Sequence, residues 1–312
     1  MTTKTSNPKG SLMIIIATII WGVGYVAKAS GTYHISPLTF NAVRFGVGGI
    51  VALGPALYFL LRQRPQPKPP NNAGERVSIS KSTVAAGIIC GLVLCLGINL
   101  QLFGIVHTSV ANASFITSLQ VIIVPIVSLI IFRKRAAVSV WVSVAVAIAG
   151  MYFLSLSGGF YVNIGDVFVF LCAFASAGHI LLISRYSPVH NASVLVCIQF
   201  FVVSVVSFVL AFIFESPQVA AIFAAAPYVL YTGVLSSGVA YILVTKAQKT
   251  TDATVVAVLC SFEAVVATLA GLFLLSQFLT PRELVGCALI FVAILVAQMP
   301  AKAKAGSKEK PA

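Results

Sequence analysis

One carboxylate stands near the middle of Thr251 to Gln277, TDATVVAVLCSFEAVVATLAGLFLLSQ, an apolar stretch long enough to cross a bilayer. An ionised group at that depth costs a few kcal/mol, so Glu263 must face a cavity or a partner. Two chemistries fit it: a group that binds protons or a substrate ammonium, or a protonated carboxyl that braces neighbouring helices. The stretch echoes Ser109 to Lys134, SVANASFITSLQVIIVPIVSLIIFRK, at one offset, 261 − 118 = 143. That offset lays Ser118 on Ser261, Gln120 on Glu263, Ser128 on Gly271 and Ser143 on Gly286. Gln120 thus holds a neutral amide where the second half holds the acid.

Other polar side chains lie in apolar surroundings. Arg44 sits about two turns into its run, deep enough to need a carbonyl, a carboxylate or a route to the membrane boundary, and we read it as a structural charge. His179 reads first as a neutral packing residue, with proton relay as the alternative. Asn99, Gln101, Gln120 and Tyr241 offer neutral hydrogen-bonding groups suited to a small amphiphilic solute. Trp21, beside Gly22 and Gly24, belongs either to that pathway or to a helix interface. With His179 and Glu263 these residues form the expected substrate pathway, and Glu263 is the expected proton site. Asp166 reads as a carboxylate at a helix N-terminus, and Gly87 with Gly91 as a tight helix contact.

An intramembrane enzyme would need paired carboxylates, a metal-ligand cluster or a nucleophile with its base. The sequence shows none of these. His34, His107, His179 and His190 lack ligand spacing, and no Walker-type phosphate loop occurs. No catalysis, cofactor or metal is expected.

These side chains need membrane helices to hold them. The 312 residues are 59% hydrophobic and 9% charged, with mean hydropathy +1.03, against about 25% charged residues in a soluble domain. Apolar runs occur at Ser11–Val26, Pro37–Leu61, Thr83–Val106, Ser109–Phe132, Ala136–Ser155, Gly165–Ile183, Ser193–Phe214, Pro227–Thr245, Ala253–Leu275 and Leu284–Gln298. The fold class expected is an all-α integral membrane protein of ten transmembrane helices. Barrel strands would be about half as long and alternate in polarity. Ala27-Lys28-Ala29 imitates a signal-peptidase site, but the first run is long for a signal segment and a retained helix is expected.

The net charge of +13 would suggest nucleic acid if the basic residues formed one face. Instead they fall in alternate gaps: Lys4 and Lys9, then Arg62 to Lys81, Arg133 to Arg135, Arg185, Lys246, Lys249 and the tail lysines. Both termini are therefore expected in the cytoplasm. The gap FRKR is basic while its counterpart SQFLTPRE balances Arg282 with Glu283, so equivalent loops face opposite sides. Five spans per half then insert as inverted repeats. The expected organisation is a tail over 1–10, a first repeat over 11–155, a second over 165–298 and a basic tail over 299–312. All six cysteines lie inside apolar runs as unpaired thiols.

The chain resembles the EamA family of the drug/metabolite transporter superfamily. The resemblance rests on Trp21-Gly22, on Ser36-Pro37-Leu38 leading to Arg44-Phe45, and on His107-Thr108-Ser109 before Ala111. In the second half it rests on Gly165-Asp166, Tyr231-Thr232-Gly233-Val234-Leu235, Ala247-Gln248-Lys249 followed by Thr250-Thr251, and Ser261-Phe262-Glu263. Two positions depart from the family pattern: Ala264 replaces the proline usual after the glutamate, and Ser276-Gln277 replaces Gly-Glu at the helix end. The resemblance implies two five-helix repeats and export of a small metabolite such as an amino acid, nucleoside, vitamin or drug-like solute. The expected partners are that solute, the lipid bilayer of the cytoplasmic membrane and a second copy in a homodimer, with no nucleic acid. An intramembrane enzyme, or a non-transporting scaffold or sensor, is the rival reading.

Overall fold

The computed structural model describes residues 8–62, 80–133, 138–155, 163–275 and 280–297. Most of the polar linker after Arg62, the basic gap beyond Arg133, the SQFL segment and the C-terminal tail lie outside them. Every regular element among the described residues is helical. The first half contains α1 (Pro8–Gly31), α2 (Pro37–Arg62), α3 (Lys81–His107), α4 (Val110–Ser118), α5 (Gln120–Phe132) and α6 (Val138–Ser155). The second contains α7 (Ile164–Tyr186), α8 (Ala192–Phe214), α9 (Val219–Ala224), α10 (Ala226–Leu230), a π-helix (Tyr231–Ala240), α11 (Tyr241–Ala247), α12 (Ala253–Cys260), α13 (Phe262–Leu275) and α14 (Pro281–Ala297).

Among the described residues eight helices are long and apolar enough to cross a membrane, counting α4 with α5, α10 through α11, and α12 with α13 as one each. Two shorter apolar helices, Val138–Gly150 and Leu284–Val296, stand where the fifth and tenth spans were expected. Polarity is inverted relative to a soluble protein. Large apolar side chains such as Ile50, Leu96, Phe212 and Phe273 point outward, while Asn41, Arg44, Gln101 and Gln199 are buried. Such a surface is stable only against lipid.

Two expected spans are interrupted, and at matching places. The offset of 143 that pairs Gln120 with Glu263 also pairs helix boundaries: 253 − 110, 275 − 132 and 281 − 138 each give 143. The breaks fall at Leu119 and Ser261, and the paired serines supply a reason. Ser118 Oγ donates to the Ser114 carbonyl and Ser261 Oγ to the Val258 carbonyl, and hydroxyls that bond back into their own helix bend it. The matched N-caps, Ser109 and Asp252, begin both spans.

Two pairs of helices of equal rank in the two halves, α2 with α8 and α6 with α14, pack on each other, and α3 packs on α7 and α8. Along α2 and α8, Ala42 and Gly46 meet Ser204, Phe45 meets Phe200 and Gly49 meets Phe201 and Cys197, so the two run antiparallel. Gly150 on α6 meets Ile290 and Gly286 on α14 while Tyr152 meets Arg282, again antiparallel. On α3 and α7 the approach is backbone to backbone. A Cβ on Gly104 would lie 2.8 Å from the Gly165 carbonyl, and one on Gly165 would lie 2.7 Å from the Gly104 carbonyl. Gly87 and Gly91 seat α3 against Ile198, Gln199 and Val202 of α8, which is the tight contact their spacing suggests.

Caps fix the helix ends. Asp166 forms a capping box with Asn163 and accepts from Thr108 Oγ1 at 2.6 Å, giving the helix-start role expected of it. Glu215, at the end of α8, accepts from the backbone N–H groups of Leu38 and Thr39 and so caps α2 from another helix, a contact that no local pattern announces.

Candidate functional site

The polar side chains of both halves converge on one cavity of about 90 Å³. At roughly 10–15 Å³ per water, it has room for several waters or a small solute. Trp21 and Lys28 of α1, Arg44 of α2, Gln101 of α3, Thr117 and Gln120 line it from the first half. From the second half come Ser176 and His179 of α7, Ser236 of the π-helix, Tyr241, Cys260 and Glu263.

Glu263 lies in the first turn of α13, where the helix dipole favours a carboxylate. Two α1 residues attend it: the Tyr25 hydroxyl donates to the carboxylate, and the charge of Lys28 acts on it. Lys28 Nζ in turn donates to Gln101 Oε1 at 2.7 Å and lies 3.8 Å from the centre of the Tyr25 ring. Gln101 Nε2 donates to Tyr25 Oη at 2.9 Å and more distantly to Thr117 Oγ1. Lys28, Gln101, Tyr25 and Glu263 therefore form one buried network joining α1, α3 and α13. Such networks are stable only when each polar group has a partner.

A second group is aromatic. Trp21 Nε1 donates to the Ser236 carbonyl inside the π-helix at 2.8 Å and meets Tyr241 edge-on at 4.9 Å. Tyr231 Oη donates back to the Ile20 carbonyl. π-helical turns are rare and recur at functional sites, and this one runs where Gly233 and Gly238 let α2 approach closely. Phe45, Phe200 and His179 complete the ring cluster around Tyr241. His179 Nε2 donates to Gln199 Oε1 at 2.7 Å, with the amide orientation set by Gln199 Nε2 donating to the Leu195 carbonyl. Nδ1 is then the acceptor of a neutral ring.

Six of the seven expected pathway residues, Trp21, Gln101, Gln120, His179, Tyr241 and Glu263, line this cavity. Asn99 does not. It donates to the Cys95 carbonyl and Ser207 Oγ, accepts from Asn41 Nδ2 at 2.8 Å, and borders an apolar groove. Residues two apart on a helix point about 200° apart, so Asn99 and Gln101 cannot share one cavity wall. Arg44, read as a structural charge, also stands on the cavity wall. Its Nε donates to Asn41 Oδ1 at 2.7 Å and its guanidinium lies 4.5 Å from the Phe45 ring centre. Asn99 thus acts on the cavity through Asn41, which positions Arg44.

Lys28 and Tyr25 were missed. In the sequence the first apolar run ends at Val26, and Lys28 reads only as part of a signal-like tripeptide. α1 in fact continues to Gly31, and Lys28 is 5% exposed. The remaining histidines are separate: His34 stacks on Tyr228, His107 bonds the Phe103 carbonyl, and His190 pairs with Thr83.

The profile of the EamA-like transporter family matches residues 8–156 and again residues 163–299. The chain belongs to the EamA-like transporter family. It is 28% identical over 288 residues to a protein of Archaeoglobus fulgidus named an uncharacterized transporter, covering 92% of this chain and 85% of that one. It is 22% identical over 294 residues to the uncharacterized transporter YoaV of Bacillus subtilis, covering 92% and 96%. A crystal structure shares its fold with a TM-score of 0.74 at 20% identity, covering 95% of this chain and 99% of that one. This EamA-like protein is a multi-pass membrane protein of the transporter class.

Proposed function

We propose that the protein is a secondary transporter that carries a small organic solute outward across the cytoplasmic membrane through a cavity between two inverted five-helix repeats. One observation carries this reading. Charged side chains that are costly within a membrane are gathered on one cavity whose wall is drawn from both halves. Inversion is supported by the antiparallel run of α2 against α8 and of α6 against α14, each pair holding the same rank in its half. An axis that exchanges two antiparallel neighbours lies across them, which for membrane helices means within the membrane plane. On this reading α6 and α14 complete ten spans, and the two interrupted spans flank the solute where rocking of one repeat against the other exposes it to either side. The basic helix ends Lys9, Arg62, Lys81, Arg133, Arg185 and Lys249 then share the cytoplasmic face.

Reconstitution into liposomes loaded with a mixed panel of amino acids, nucleosides and organic acids tests it. Solute counterflow above protein-free vesicles, with no product formed, is expected. Counterflow indistinguishable from protein-free vesicles across the panel, or chemical conversion of a solute, would sink the proposal.

A further inference from the structure

We infer that the cavity binds a small organic carboxylate, its anionic end between Arg44 and Lys28 and its apolar body against Trp21 and Tyr241. The inference rests on the transporter reading for the solute's movement and not for its binding.

Charge is the first argument. Among the described lining residues three are charged, Lys28, Arg44 and Glu263, leaving 2 − 1 = +1. Glu263 is already answered by Lys28 and by the Tyr25 hydroxyl. Among the described residues Arg44 is not answered by any acid. It is 3% exposed, it gives Nε to the neutral Asn41, its guanidinium lies against the rings of Phe40 and Phe45, and the phenols of Tyr241 and Tyr25 also act on its charge. A buried cation with no opposite charge is costly unless something supplies one.

Geometry gives the second. A guanidinium has five N–H donors, and a carboxylate takes two of them in parallel. With Nε held by Asn41, and Asn41 held by Asn99 at 2.8 Å, the fork is pre-set rather than free. The field of Arg44 also reaches Lys28, so two like charges repel on one cavity wall and an anion bound by both relieves both. Part of the wall is apolar and aromatic, with Val93, Leu94, Ile98 and Ile180 beside Trp21 and Tyr241. One net positive charge in a small chamber whose wall mixes polar groups with apolar ones suits a monoanion with a short hydrocarbon body. Such an anion moves outward down the inside-negative membrane potential without a coupled ion.

The test uses Trp141→Phe protein in lipid nanodiscs. Of the two tryptophans, this leaves Trp21 to report on the cavity. The probes at pH 8 are 3-methylbutanoate, 3-methylbutanamide and valine, one carbon skeleton in anionic, neutral and zwitterionic form. The carboxylate should change Trp21 fluorescence with at least tenfold higher affinity than either other probe, and Arg44→Gln should reduce its affinity to that of the amide. Equal binding of the three, tighter binding of valine, no binding of any, or an unchanged preference in folded Arg44→Gln would each overturn the inference. If Arg44→Gln does not fold, the comparison in the Trp141→Phe protein decides alone. Binding of the carboxylate without its counterflow in liposomes would refute transport and leave this inference standing. Counterflow of valine or the amide ahead of the carboxylate would do the reverse.

Discussion

Removing the charge of Lys28 tests whether the buried network holds the two halves together. Lys28→Met keeps the length and apolar stem of the side chain. It deletes the 2.7 Å bond to Gln101 and the cation acting on Glu263. A charge-assisted hydrogen bond contributes about 1.5–3 kcal/mol, and leaving the partner charge buried and unpaired brings the loss to about 3–5 kcal/mol. Glu263→Gln should cost a similar amount, because it leaves Lys28 facing Arg44 alone. The double variant leaves neither charge unpaired, so its loss should fall short of the sum by about 1–3 kcal/mol, the range for residues in one network. Thermal unfolding of the purified protein in detergent reads this out. At about 2 °C per kcal/mol for a large chain, each single variant should melt roughly 6–10 °C lower. The double variant should recover at least about 2 °C of the summed loss. Losses that add within about 1 °C would refute the coupling and with it the network as described.

Cysteines placed at Tyr33 and Ser216 in a cysteine-free background should react with an impermeant reagent in intact cells, and one at Val189 should not; the opposite pattern would invert the proposed orientation. Gly104→Ala should lower the melting temperature, because its Cβ would lie 2.3 Å from Val169 Cγ2 and 2.8 Å from the Gly165 carbonyl, an overpacking that costs about 1–3 kcal/mol. Gly54→Ala, with nothing within 4 Å, should be neutral or gain up to about 1 kcal/mol, and a loss there would contradict the open space around it. If Glu263 is the proton site, Glu263→Gln should retain net flux of whichever solute the protein moves while losing its dependence on pH. Flux that stays as pH-sensitive as wild type would confine Glu263 to bracing helices.

The residues that were legible in the sequence are those whose cost is local. Glu263 stands out because nothing nearby in its stretch relieves a carboxylate at that depth, and its repeat mate Gln120 marks the same place in the other half. Lys28 was hidden because its partner Gln101 lies 73 residues away, and without that partner a lysine near the end of an apolar run reads as a boundary. Tyr25 was hidden for the opposite reason. A tyrosine is unremarked near a membrane interface, and only its complete burial beside Glu263 gives it weight. For Asn99 the deciding signal was present and unused, since 3.6 residues per turn already sets it away from Gln101. The breaks at Leu119 and Ser261 were not legible, because an apolar run reads the same whether its helix is continuous or interrupted. The offset that first paired Ser118 with Ser261 nevertheless marked where both would fall.

If the proposed repeat holds, its divergence would set how the proposed carboxylate is oriented in the cavity. α1 and α2 pair with α7 and α8 at an offset of 192 − 37 = 155, which lays Trp21 on Ser176, Tyr25 on Ile180, Lys28 on Ile183 and Arg44 on Gln199. Ser176, Ile180 and Ile183 line the same cavity, and Gln199 holds His179. Two equivalent pairs, Trp21 with Ser176 and Lys28 with Ile183, thus line the cavity from both halves, while the two cations occur in the first half and the carboxylate in the second. A symmetric cavity would hold a solute equally well in two orientations related by the pseudo-two-fold. With Arg44 opposite a neutral amide and Lys28 opposite isoleucine, one orientation puts the polar end on charge and the other puts it on hydrocarbon. At about 1.4 kcal/mol for each factor of ten, a single charge-assisted bond would be enough to hold the proposed carboxylate one way round.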